Sequence, residues 1–398
     1  MALRVLHLST YAGGGGAGRA AAALNEALQK AGVDSRFISA HGTRFKAARA
    51  ADRALWRLQR SATKTWRSPA RFGSLSASEI NASSADIVNL HWVTDGFMSI
   101  EEIGKIKKPL VMSIYDMWPF CGSEHYGVDG LNARWKVGYT RENRSRHDKG
   151  LDIDRTTWIR KKTHWHKFHL VSASTWMTAA VRQSALMSDW PISQVPHAVD
   201  PQKLSPQDKT TSRQQLGITI RGPIIAFFSS AGIQDKRKGY DLLAEAMRHV
   251  QVEYPDVCLL VVGPKSRPQQ GVPAPGVLEL GPAHGDHDLA LAYSAADVLA
   301  VPSREDNMPL TAMEAQMSGR PVVAFNIGGL PDIVRHNETG FLARPLDTTH
   351  LAAGILRSLS ATHAGQEWGK TARQRALATW GSQGVASKYI EIYQNLLT

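Results

Sequence analysis

Cysteine is almost absent. Cys121 and Cys258 are the only two, too few for a disulfide framework or for a thiolate zinc site, which takes three or four closely spaced ligands, so a reducing compartment is expected. Long apolar runs are missing as well: the longest, such as residues 257–263, are strand-sized, far short of the 18 or so residues of a membrane-spanning helix. The first ten residues lack the apolar core and small-residue cleavage site of a secretory leader. The chain is therefore expected to begin near Met1 and to reside in the cytoplasm. Nor is there compositional bias: 43% apolar and 21% charged residues over 398 positions exclude a disordered, collagen-like or coiled-coil chain. At roughly 150 residues per domain, two or three packed domains are predicted.

Acidic residues are the scarcer sign, 35 against 47 basic ones, for a net charge of +12. The excess is concentrated in two segments of the first half. Residues 44–71 carry Arg44, Lys46, Arg49, Arg53, Arg57, Arg60, Lys64, Arg67 and Arg71 against Asp52 alone, and residues 134–167 carry a net +7. In the first segment the cations recur at three- and four-residue steps with Leu55, Trp56 and Leu58 between them. That pattern suits a basic amphipathic helix on an anionic membrane surface, and equally a solvated helix face covering the core. Nucleic acid is set aside as a partner, because no zinc-finger spacing or Arg/Gly-rich aromatic signature accompanies the charge.

The chain opens with a buried-strand run at 3–8, a glycine cluster at 13–16 and an Ala-rich helical stretch at 19–30, followed by a second strand-like run at 36–39. Further strands read at 86–90, 109–114, 168–172 and 192–196. A second alternation starts at Pro223, with strands at 224–228, 257–262, 297–301 and 321–325 and helices at 240–250, 288–295 and 310–318 between them. This rhythm predicts an α/β protein with two doubly wound parallel sheets in tandem. The boundaries fall at 1–197 and 198–378, with a C-terminal helical piece at 379–398 whose Tyr389, Ile390, Ile392, Tyr393, Leu396 and Leu397 mark a docking face. Ligands of such sheets bind at the carboxyl ends of the strands, so an interdomain cleft is expected to hold the site.

Two places carry chemistry. Residues 13–16 are glycines between a strand and a helix, where free backbone N–H groups meet an anion; the spacing is neither the dinucleotide fingerprint nor a Walker A loop, and a tight turn is the other reading. In the run Pro302, Ser303, Arg304, Glu305, Asp306, Asn307, Met308, Pro309, Leu310 a loop leads into a helix bearing Glu314. Two separated carboxylates, Asp306 and Glu314, suit two separate diols, such as those of a hexose and a ribose, with the amides of Asn307 to Leu310 meeting the group between them. Glu305 and Asp306 also fit as ordinary first-turn acids. His91 suits either an acceptor hydroxyl or a structural role. Trp92 and Trp118 suit either a sugar face or the core. His164, His166 and His169 have no further ligand at metal spacing, so no metal is expected.

Nearly the whole chain resembles the family 4 retaining glycosyltransferases of the GT-B fold. The resemblance rests on Gly15 and Gly16; the stretch Val195, Pro196, His197, Ala198, Val199, Asp200; the stretch Lys236, Arg237, Lys238, Gly239, Tyr240, Asp241; the Asp306 to Glu314 run; and Gly319, Arg320, Pro321 followed by Gly328, Gly329, Leu330, Pro331. Asn89 to Trp92, Tyr115 to Phe120 and Ser172 to Trp176 look like the exopolysaccharide and O-antigen branch, akin to colanic acid transferases.

The resemblance implies two Rossmann-like domains facing a cleft, the first binding the acceptor and the second the nucleotide sugar, with the C-terminal helix returning to the first. It implies that Asp306 contacts the donor sugar and Glu314 the ribose, that Lys238 and Arg237 neutralise the diphosphate, and that Gly15 and Gly16 form the glycine loop. Asn307, Met308, Pro309 and Leu310 then line the donor, and His91, Trp92, Tyr115, Asp116 and Trp118 the acceptor side. The sequence departs from the family pattern in having Asp306 where Glu is usual, with Glu305 beside it, and Tyr115 where His is frequent, with His125 nearby. It also has only Cys121 after Phe120.

The activity implied is metal-independent, cofactor-free transfer of a hexose-type sugar from a nucleotide diphosphate to a glycan or lipid-pyrophosphate acceptor in bacterial surface polysaccharide synthesis. The place implied is the cytoplasm, peripheral to the inner membrane face. The other readings are an epimerase or phosphorylase of the same fold, and a catalytically weak sugar-nucleotide or glycan-binding protein.

Overall fold

Runs such as Ile87–Leu90, Leu110–Ile114, Ile224–Phe228 and Cys258–Val262 are buried at every position, the signature of strands covered on both faces by helices. The computed structural model describes residues 3–61, 65–265, 276–363 and 367–398. It divides into two units, Met1–Pro196 with Ala386–Thr398, and His197–Val385.

The first unit contains β1 (Arg4–Ser9), β2 (Asp34–Ser39), β3 (Gln59–Arg60), β4 (Ile87–Leu90), β5 (Leu110–Ile114), β6 (Lys149–Gly150), β7 (His169–Ser172) and β8 (Ile192–Gln194). Six of these form a parallel sheet in the order β2-β1-β4-β5-β7-β8, while β3 and β6 pair separately as an antiparallel ribbon. The second unit contains β9 (Ile224–Phe228), β10 (Cys258–Val262), β11 (Val277–Gly281), β12 (Val298–Val301), β13 (Val322–Phe325) and β14 (Gly340–Ala343). They form a parallel sheet in the order β11-β10-β9-β12-β13-β14. In each sheet the order reverses once, between β1 and β4 and between β9 and β12, and ligands of such sheets bind beyond the strand ends at that reversal.

The structure departs from the sequence reading in three places. The first helix is Gly15–Lys30 and starts inside the glycine cluster. Strands β3, β6, β11 and β14 are additional. The basic segment 44–71 is not one amphipathic helix: the helix is Gly42–Trp56, and β3 follows. The helix turns Phe45 and Asp52 inward, and Asp52 accepts the backbone N–H groups of Ala70, Arg71 and Phe72 at 3.0, 2.8 and 3.2 Å. Its arginines are largely committed. Arg49 and Arg53 both clasp buried Asp95, at 2.8 and 2.9 Å, while Arg67 pairs with Asp154 and Arg71 with Glu101. Lys64 lies outside the described residues.

The C-terminal helix Ser382–Asn395 ties back to the first sheet. The Asn89 amide donates to Tyr393 Oη at 2.7 Å, and Ser113 Oγ lies 3.0 Å from Tyr389 Oη. Both tyrosines are buried.

Candidate functional site

The loops leaving β9 and β12 carry the residues with the strongest sequence signal. After β9 the chain makes a 3₁₀ turn at Lys236–Lys238, fixed by the Asp235 carboxylate, which accepts the Arg237 N–H at 3.0 Å. Gly239 ends that turn at φ +72°, and a Cβ there would strike the Pro302 carbonyl; only glycine lets the two loops approach this closely. The loops are then sewn together. The Arg304 N–H donates to the Arg237 carbonyl at 2.8 Å, and the Arg304 guanidinium forks onto Asp241 at 2.8 and 2.6 Å.

This brings Lys238 Nζ to 2.6 Å from Asp306 Oδ2 and Arg237 Nη1 to 3.8 Å from the same oxygen, to which Ser303 Oγ donates at 3.2 Å. Burial alone would raise the Asp306 pKa. The Lys238 and Arg237 charges overcome that and hold it below the ordinary carboxylate value, so Asp306, only 6% exposed, is ionised. Lys238 and Arg237 share Asp306, and the Arg237 guanidinium also lies 3.5 Å from the Asp235 carboxylate, so cations and carboxylates alternate at the strand ends. Glu305 contributes its carbonyl to Arg237 at 3.1 Å.

Glu314 projects from the helix Leu310–Met317 and is 4% exposed. Tyr293 Oη donates to its Oε2 at 2.7 Å, and the Tyr293 ring stacks on Phe228 with centroids 4.3 Å apart. Pro309 occupies the N-cap, and a proline side chain cannot accept from the first-turn amides. Asn307, Met308, Pro309 and Leu310 are all buried. Three residues near this site escaped the sequence reading as site residues: Ser303, Tyr293 and His197. Burial pushes the His197 imidazole down to about 4, against the pull of the Asp306 charge. Ser303 and His197 stood inside recognised motifs; Tyr293, 21 positions from Glu314, reads in sequence only as a core aromatic.

In the first unit, Gly15 and Gly16 are exposed at the start of their helix, with Gly15 at φ +65°. His91 is enclosed. Its Nε2 lies 2.8 Å from His7 Nδ1 and its Nδ1 lies 2.8 Å from Tyr115 Oη, so both ring nitrogens are engaged inside the protein. Asp116 accepts from Trp92 Nε1 at 3.0 Å and from the Trp118 N–H at 3.0 Å, and lies 2.6 Å from His125 Nδ1. Burial would raise the Asp116 pKa, and His125 beside it brings it below the usual value. His91 with Tyr115, and Asp116 with Trp92 and His125, therefore form two bonded groups just beyond β4 and β5. Trp118 belongs to the core: it is 3% exposed, donates from Nε1 to the Ser68 carbonyl at 2.8 Å and packs edge-on against Trp165.

Residues 222–361 match the family model described as glycosyl transferases group 1. The second unit is similar to that family. Among curated proteins, the chain is 38% identical over 163 residues to the D-inositol 3-phosphate glycosyltransferase of Segniliparus rotundus, covering 38% of this chain and 35% of that one. It is 34% identical over 179 residues to the protein of that name from Nocardia farcinica, covering 41% and 39%. The chain thus spans little more than a third of the length of these relatives, and their name points to inositol phosphate rather than to the exopolysaccharide branch.

Among solved structures, sucrose-phosphate synthase from Thermosynechococcus elongatus superposes with a TM-score of 0.67 at 20% identity over 99% of both chains. Anabaena HepE in complex with UDP-glucose does so with a TM-score of 0.68 at 17% identity, over 99% of this chain and all of that one. The fold is GT-B, two Rossmann-like units in one chain.

Proposed function

We propose that the chain is a retaining glycosyltransferase that moves a hexose-type sugar from a nucleotide-diphosphate sugar to a glycan or lipid-linked acceptor in bacterial surface polysaccharide synthesis, in the cytoplasm at the inner membrane face. The observation that carries this reading is the cluster of Lys238, Arg237 and Asp306 at the strand reversal of the second unit, with Glu314 fixed on the adjoining helix. Lys238 and Arg237 exchange part of their contact with Asp306 for the diphosphate and offset the negative charge that grows on the leaving oxygen, without a metal. Asp306 then accepts hydroxyls of the donor sugar and Glu314 those of the ribose. Retention corresponds to attack from the face the diphosphate leaves, with a departing phosphate oxygen taking the acceptor proton. The UDP-glucose in the HepE structure supports a sugar nucleotide as donor, and the name of the curated relatives adds a phosphorylated cyclitol to the acceptors worth testing.

A thermal-shift panel of UDP, GDP, ADP, dTDP and their sugars tests the reading. A ligand at a hundredfold excess over its Kd adds about 2.7 kcal/mol, so one nucleotide is expected to raise the Tm of the wild type and to leave Lys238→Ala and Glu314→Ala unmoved. No shift with any of them would sink the reading. A shift without donor hydrolysis or transfer would make the chain a sugar-nucleotide-binding protein on a transferase fold.

A further inference from the structure

The two basic segments, far apart in sequence, meet in the β3–β6 ribbon. Arg60 is the direct cross-strand partner of Lys149, and Gln59 of Gly150. One step along, the Leu151 N–H donates to the Leu58 carbonyl at 3.1 Å. Side chains alternate along a strand, so Leu58 and Arg60 share one face with Leu151 and Lys149. The opposite face is pinned to the body of the unit. Gln59 Nε2 donates to Asp154 Oδ2 at 2.6 Å, the Asp154 N–H donates back to Gln59 Oε1 at 3.1 Å, and Ser61 Oγ donates to Asp148 Oδ1 at 2.9 Å. The Arg144 guanidinium holds the ribbon from the side, donating to the Gly150 and Leu151 carbonyls at 2.9 and 3.1 Å.

The outward face is open. Leu58 is 52% and Leu151 55% exposed, and Arg60 and Lys149 are exposed beside them. Like charges set opposite each other on a ladder are destabilising, and neither cation has a carboxylate partner among the described residues. A bound anion would relieve that repulsion. The two leucines decide which kind of anion carrier fits: a soluble polyanion would meet the cations and gain nothing from an adjoining apolar pair, whereas a bilayer offers phosphates above an acyl layer.

We propose that this face docks on an anionic lipid bilayer, Leu58 and Leu151 entering the acyl boundary while Arg60 and Lys149 meet lipid phosphates. It narrows the membrane contact expected of segment 44–71 to its end at Leu58 and Arg60, since Arg49 and Arg53 on the helix Gly42–Trp56 are committed to Asp95. The inference deepens the reading of a lipid-linked acceptor and rests on that reading for its purpose.

Vesicle flotation of the full chain tests it, with phosphatidylcholine alone and with phosphatidylcholine containing phosphatidylglycerol. The wild type is expected to float only with the anionic vesicles. Each juxtamembrane cation contributes about a fivefold factor, so Arg60→Gln/Lys149→Gln should bind about 25-fold more weakly, with an unchanged or higher Tm because the opposed charges are gone. Leu58→Ser/Leu151→Ser should lose about tenfold. Either variant binding like the wild type overturns the proposal, as does binding to heparin that ignores the leucine change, which would assign the face to a soluble polyanion. The nucleotide thermal shift is run on the same samples. Its absence in the wild type would count against the transferase reading alone, and its persistence in both variants separates a failure of docking from a failure of the donor site.

Discussion

Glu314 is buried on its helix and takes a hydrogen bond from a tyrosine far away in sequence. Tyr293 donates to one carboxylate oxygen at 2.7 Å and is itself steadied by the Phe228 ring, stacked 4.3 Å away with the two planes 14° from parallel. A carboxylate on a helix has rotamer freedom, and this bond restricts it; on the proposed reading, that fixes Glu314 for the ribose diol. Tyr293→Phe deletes one hydroxyl and keeps the stack. A hydrogen bond to a charged group is worth about 1.5–3 kcal/mol, so nucleotide affinity by calorimetry is expected to fall about tenfold or more. The wild-type preference for a ribonucleotide over its 2′,3′-dideoxy analogue should shrink as well. That second readout separates positioning from mere structure: a variant that is less stable but still discriminates between the two sugars would show that Glu314 is held by other means.

At the scale of elements, the helix Ile153–His164 clamps the loop that carries Asp116 and His125. Lys161 on that helix is wholly buried, its ammonium donating to the carbonyls of Trp118, Cys121 and Gly122 beneath the Trp118 ring, 3.9 Å from its centroid. Burial brings Lys161 down to about 7. Close by, burial and the charge of Asp154 push Glu124 up to about 8, where it meets the Tyr139 hydroxyl. Above its unfolded value of 4.5 the unfolded chain releases a proton that folded Glu124 keeps until about 8. Its contribution to stability is therefore full below about 4.5 and is lost as pH rises to about 8. Across that window the wild-type urea midpoint should lose ground to that of Glu124→Gln as pH rises, whatever slope the other buried groups impose on both; parallel curves would remove Glu124 as a source of pH dependence. None of this cluster was legible in the sequence, where Lys161 and Arg67 counted simply as basic residues, because charge pattern does not reveal burial. The parallel strands were legible, since a strand covered on both faces is a short apolar run wherever it occurs. The ribbon was not, because two residues per strand set up no periodicity. The Asp306 and Glu314 pair could be read because loop and helix are adjacent in sequence, whereas its support from Lys238 and Tyr293 is brought in by the fold.

At the scale of the whole molecule, the first unit is closed by the far end of the chain. Ala386–Thr398 belongs with Met1–Pro196, and the closure is specific: Tyr389 and Tyr393 are buried and meet Ser113 and Asn89 on the inner strands β5 and β4. Losing a buried aromatic costs about 3–5 kcal/mol, so losing two removes much of the roughly 5–15 kcal/mol that stabilises a domain. Ending the chain at Val385 should therefore unfold the first unit at far lower urea and leave the second sheet standing. Nine of the eleven tryptophans precede residue 197, so intrinsic fluorescence reports almost entirely on the first unit. Its midpoint is expected to drop sharply on truncation, while nucleotide still protects residues of the second unit from proteolysis, since Lys238, Arg237, Asp306 and Glu314 all lie within His197–Val385. A fluorescence midpoint that stays in place would mean that Tyr389 and Tyr393 rest on a sheet already complete without them. Loss of both signals would mean that the second unit folds only on the first, so that the chain end governs the donor site by supporting the unit on which it depends.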